Sequence, residues 1–198
     1  MNPLNTIKGT LIAGLVIAIV LTLAITQHLG VNALAITRTL HVAAGITWIG
    51  LLYYFNFVQV PALAAAAADK GGPGGAGVTK YVAPRALLWF RWAAVVTWLS
   101  GAAYLAHLGT LLGAFTFGAV GTPANSAIGI GAWLGTIMLF NVWVLIWPNQ
   151  KKILGIVTAT DEEKVKARRI AFLASRTNTM LSIPMILFMV ASAHGLPF

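Results

Sequence analysis

Five stretches of the chain are almost purely apolar, and its polar residues gather between them. A helix that crosses a membrane needs about 20 mostly apolar residues. The runs that qualify cover 10–26, 40–60, 87–112, 128–147 and 171–193. Prolines mark three of their edges: Pro61 closes the second run, Pro84 precedes the third and Pro148 closes the fourth. A proline that removes a backbone donor normally ends a helix. The pattern predicts an all-α integral membrane bundle of about five transmembrane helices. It forms one transmembrane domain over 1–198, with 61–85 and 148–170 as the longer polar connections. The first run has Lys8 before it and Ala33-Leu34-Ala35 after it, the outline of a signal peptide. It is read here as a retained helix.

Within the runs the polar residues recur at helical spacing. Positions 18 apart share a face after five turns. His41 and Gln59 stand so, with Gly45, Trp48 and Asn56 near the same stripe. His194 and Arg176 are also 18 apart, with Leu187 near the line. On the third helix His107, Tyr104 and Ser100 follow each other at i, i−3 and i−7. A second polar set, Asn56, Gln59, Arg91, Asn141, Arg176 and Asn178, lies toward the other ends of the same helices. Polar groups inside apolar segments are costly and usually face the bundle. No acid lies in the runs, so carbonyls, amides, phosphates or a bound anion are the expected partners of Arg91 and Arg176. Such a set suits a substrate, haem propionates or lipid headgroups.

Composition agrees with lipid as the solvent. The chain is 59% hydrophobic and 9% charged, where a soluble domain carries about 25% charged residues. Its net charge of +9 does not signal nucleic acid, because the cations sit in the connections. Ten Lys and Arg fall before the first run, between the second and third, and between the fourth and fifth; the other side has Arg38 alone. The positive-inside rule then places the N-terminus in the cytoplasm and the C-terminus outside. The Ala64–Gly77 stretch ends in GGPGGAG and reads as a flexible cytoplasmic connection. Thr160 with Glu163 three residues later predicts a capping box and a short amphipathic helix leading into the last span.

This topology carries all four histidines to the outer side. His28 follows the first run, His41 opens the second, His107 nears the end of the third and His194 closes the fifth. The last three are expected at about the same depth, roughly 12–17 Å from the midplane. There is no cysteine, which excludes thiolate sites, iron–sulfur clusters and covalent CxxCH haem. Haem b remains open, since it asks for one or two axial imidazoles from facing helices. His41 is the first candidate ligand, with His194 or His107 as the second. Gly131 and Gly135 form a small-xxx-small surface that another helix or a flat cofactor can approach. The competing reading of the histidines is ordinary hydrogen bonding to headgroups and water. Copper at the same imidazoles, with Met180, Met185 and Met189, is weaker, because methionine in apolar helices is usually filler. The seven tryptophans read mostly as interfacial anchors.

Four motifs carry a family resemblance. They are HVAAGITWIGLLYYFNFVQVP at 41–61, TWLSG at 97–101 after WFRW at 89–92, TIMLFNVWVLIWPNQK at 136–151, and SRTNTMLSIPMILFM at 175–189 with His194 and LPF behind it. Together they resemble the membrane domain of bacterial urate oxidase of the urate hydroxylase (PuuD) type. The resemblance implies an inner-membrane helical protein that oxidises urate and passes electrons to cytochrome c, with His41 and His194 as matching histidines. The family's HGGGFY element has no counterpart after the second helix, where GGPGGAG stands. Its WEAYTTW is WAAVVTW here, so the acid is replaced by Ala93. These 198 residues include neither its second helix block nor its C-terminal cytochrome c domain. Three functions follow: a redox module holding haem b near the periplasmic face, a non-catalytic accessory subunit of a larger membrane complex, and a urate-type oxidoreductase coupled to a separate cytochrome c.

Overall fold

The computed structural model describes residues 2–26, 30–121 and 125–196. His28 lies outside the described residues. Five helices are long and apolar enough to cross a membrane: α1 (Ile7–Thr26), α2 (Ala33–Ala68), α3 (Val78–His107), α5 (Asn125–Ile153) and α6 (Asp161–His194). A short α4 (Leu111–Phe115) lies between α3 and α5. No strand occurs among the described residues. The chain divides into two compact units, residues 1–33 and 34–198. The first consists chiefly of α1, which is mostly apolar and has no buried residue.

The helices of the second unit are longer than the apolar runs, because the three prolines do not end them. Each follows a π-helical turn: Tyr54–Gln59 before Pro61, Val78–Val82 before Pro84 and Asn141–Ile146 before Pro148. In each case the residue before the proline donates its N–H five residues back: Val60 to Phe55, Ala83 to Val78 and Trp147 to Val142. The wider turn accommodates a pyrrolidine ring that would break tighter α-helical pairing. α2 therefore passes Pro61 to Ala68, and at its other end it starts at Ala33 instead of Leu40. The connection before α3 shrinks accordingly, and α5 runs through Pro148 to Ile153. At Thr160 the capping box forms in both directions, and the helix it starts continues as α6 to His194 without interruption. A bridge of 3.2 Å from Lys152 to Glu163 ties the end of α5 to this start.

The core of the second unit is built at the contact of α2, α3, α5 and α6. Trp48, Leu52 and Phe55 meet Phe90 and Ala94, Met138 and Val142, and Met185. The Phe55 and Phe90 rings pack edge to face at 5.4 Å. Close packing and hydrogen bonds both join these helices. Both occur on α5. A Cβ at Gly129 would collide with the Ala114 carbonyl of α4, and one at Gly131 would stand 3.1 Å from Met189 of α6.

Candidate functional site

The predicted stripe on α2 turns inward. Trp48, Asn56 and Gln59 are buried, and His41 and Gly45 are half-buried. α2 begins eight residues before His41, so the imidazole sits more than two turns inside the helix instead of opening it. Its Nδ1 lies 2.8 Å from the Thr97 carbonyl of α3. A carbonyl can only accept, so Nδ1 carries the proton and Nε2 keeps its lone pair in the neutral ring. Gly101, one turn further along α3, makes room for this ring. A Cβ there would stand 2.8 Å from both Cε1 and Nδ1 of His41. Gly45 faces Thr97 as well, where an added Cβ would meet its methyl at 3.7 Å. The result is an imidazole held by its neighbours with one basic nitrogen unused, the usual state of a metal-ligating histidine.

The other two described histidines are exposed. Two cross-helix bonds give the register of α2 against α6: Tyr53 Oη with Ser182 Oγ at 2.9 Å, and Asn56 Nδ2 donating to Ser175 Oγ at 2.8 Å. Residue numbers rise on one helix as they fall on the other, so the pair is antiparallel. Twelve residues separate Tyr53 from His41, and twelve separate Ser182 from His194. His41 and His194 therefore stand at one level. His107 does not share it: it lies six residues beyond Gly101 on α3, about 9 Å further out.

The inner polar set divides. Asn141 Nδ2 donates to Asn178 Oδ1 at 2.8 Å, and Asn178 Nδ2 donates to the Met138 carbonyl at 3.0 Å. Asn56 also donates to the Leu52 carbonyl at 2.8 Å. Asn56, Gln59 and Asn141 all lie on π-helical turns. The two arginines do not join them. Arg91 places its guanidinium 3.8 Å over the Trp147 ring, and Arg176 is exposed with its guanidinium 5.2 Å from the Phe172 ring. The Arg176–His194 stripe thus faces away from the core. The stripe that α6 does turn inward is Ala174, Asn178, Ser182 and Met185. Its spacing of four, four and three is present in the sequence, but Ala174, Ser182 and Met185 carry no charge to mark it. The roles of Thr97, Tyr53 and Ser175 depend on partners in other helices, which periodicity within one helix does not encode.

Gly131 is taken up by Met189, so it belongs to the α5–α6 contact. Gly135 is buried, yet a Cβ on it would meet nothing within 4 Å, which leaves interior room beside it. Two buried side-chain atoms among the described residues have no hydrogen-bond partner, Trp48 Nε1 and Gln59 Oε1. Both are on the α2 stripe. A buried group left unpaired costs about 1–3 kcal/mol, so the stripe holds one open donor and one open acceptor. No group of three or more His, Asp or Glu gathers among the described residues.

The site lies in a chain whose second half has known relatives. Residues 107–198 match the family model for the urate oxidase N-terminal domain. The match covers just under half of the chain. It contains Gly131, Gly135, Asn141, Arg176, Asn178 and His194 and the last two motifs of the resemblance, and it leaves out His41. No curated protein and no solved structure matches the chain.

Since Arg176 points out of the bundle, Arg176→Leu is expected to leave assembly intact. Loss of one exposed cation–π contact costs at most about 1 kcal/mol. A melting curve in detergent, compared with that of the unaltered protein, checks this.

Proposed function

We propose that the chain is a redox module of the bacterial inner membrane that holds haem b through His41 near the periplasmic face. The carrying observation is the His41 ring, oriented by Thr97 and Gly101 with Nδ1 on the Thr97 carbonyl. The donor set fits this group better than a bare metal ion. A porphyrin brings four nitrogens and asks the protein only for axial ligands, whereas zinc or copper would need several side chains converging. Trp48, two turns inward of His41 on the same stripe, has a buried N–H available to an acceptor group of a bound molecule. His194 shares the level of His41 but lies on the outward stripe of α6, so His41 is the one axial ligand that the packing supports. When bound, haem supplies one-electron transfer. The protein's own part is to fix the imidazole, keep Nδ1 protonated by its bond to Thr97, and surround the group with apolar side chains.

The family match supports a urate-oxidase-related function, so urate is the first reductant to test, with a separate cytochrome c as acceptor. The protein should be expressed with ample haem supply and purified in mild detergent, then examined by visible spectroscopy and haem extraction. About one haem per chain, with a Soret band that sharpens on reduction, is the expected result. Far less than one haem, with no other metal, would leave the accessory-subunit reading in its place.

A further inference from the structure

An open apolar groove of about 560 Å³ runs between α2 and the first turns of α3, away from His41. Ile46, Gly50 and Leu51 form one wall and Val82, Ala86 and Trp89 the other. Tyr81 and Arg85 also line it. Nearly all of its surface is apolar and no carboxylate lines it. Arg85 donates through Nη1 to the Tyr81 carbonyl at 2.7 Å, and Lys80 places its ammonium 5.3 Å from the Tyr81 ring. Arg85 and Lys80 are exposed. The apolar groove thus has one cation in its lining, Arg85, and a second, Lys80, next in sequence to its Tyr81.

We propose that this groove holds an acyl chain of an anionic glycerophospholipid whose phosphate is bound by Arg85 and Lys80. The proposal rests on the membrane reading of the five helices. In that reading the first turns of α3 meet the cytoplasmic leaflet, where anionic headgroups attract juxtamembrane cations. Arg85 keeps guanidinium donors beyond the one bound to Tyr81, and a phosphate can take two of them at once. Gly50 leaves the wall open: a Cβ there would meet nothing within 4 Å. A zwitterionic phospholipid such as phosphatidylcholine would fill the channel equally well, but its choline cation opposes the two basic side chains, whereas an anionic headgroup is drawn to them without that repulsion. The charge therefore selects an anionic headgroup, and the groove shape selects a lipid over free phosphate.

The test uses the full chain, equilibrated in detergent with equal amounts of phosphatidylglycerol and phosphatidylcholine and examined by native mass spectrometry. The unaltered protein is expected to retain phosphatidylglycerol preferentially. Arg85→Gln should lower that preference about fivefold, as expected for one cation near a charged headgroup, while total lipid retention persists. Gly50→Leu fills the channel and should reduce retention of both lipids. Circular dichroism confirms that each variant keeps its helix content, and the exposed Arg85 position provides a decision even if Gly50→Leu fails to fold. Equal retention of the two lipids, or a preference unchanged in Arg85→Gln, overturns the proposal. So does a retained quinone in place of phospholipid. Carbonate extraction of membranes is run alongside. Release of the chain refutes the membrane reading, while retention without lipid preference refutes this inference alone.

Discussion

His41→Ala is expected to abolish haem binding, leaving a protein with normal helix content and no Soret band. No other side chain can take the position: the chain has no cysteine, His107 stands about 9 Å further out along α3, and His194 is an exposed residue at the end of α6. The companion variant is Gly101→Ala. Its Cβ would stand 2.8 Å from two atoms of the His41 ring, so the imidazole must turn and its bond to Thr97 weakens. Loss of such an orienting partner typically lowers metal affinity about 10–100-fold, so Gly101→Ala should bind haem weakly where His41→Ala binds none. His107→Ala should leave the spectrum unchanged, and His194→Ala should convert low-spin iron to high-spin if His194 is the sixth ligand. A His41→Ala protein with full haem content would refute the assignment.

Asn178→Leu is expected to be the most destabilising change within the bundle. Asn178 is fully buried at 0% exposure. It accepts from Asn141 at 2.8 Å and donates to the Met138 carbonyl at 3.0 Å. Leucine removes both bonds and leaves the Asn141 amide as an unpaired donor in an apolar interior. At about 1–3 kcal/mol for a buried unsatisfied group, plus the bond lost to Met138, the total cost is about 2–4 kcal/mol. The cost should show as a lower melting temperature in detergent. The double variant Asn141→Leu with Asn178→Leu should recover part of the loss, because removing both partners leaves no orphan. If the double variant is as unstable as the sum of the two single variants, the bond between the asparagines contributes nothing.

The amino-acid sequence by itself determined the all-helical class of this protein and the number of its long apolar helices, because each is carried by a run of apolar residues about 20 or more long. It also determined the start of α6, because a capping box is a contact between residues three apart. The inward face of α2 was legible too, since helical periodicity alone brings His41, Trp48, Asn56 and Gln59 to one side. Tertiary structure decided the rest. The prolines looked like helix ends because the π-turns that accommodate them depend on backbone pairing that composition does not encode. Periodicity in an apolar run predicts that Arg176 faces the bundle; packing instead chose the neutral face carrying Asn178 and Ser182, which can be buried at less cost. The orientation of His41 depends on Thr97 and Gly101, more than fifty residues away in sequence. The common level of His41 and His194, and the displacement of His107 from it, follow from a register that only the contacts between helices establish.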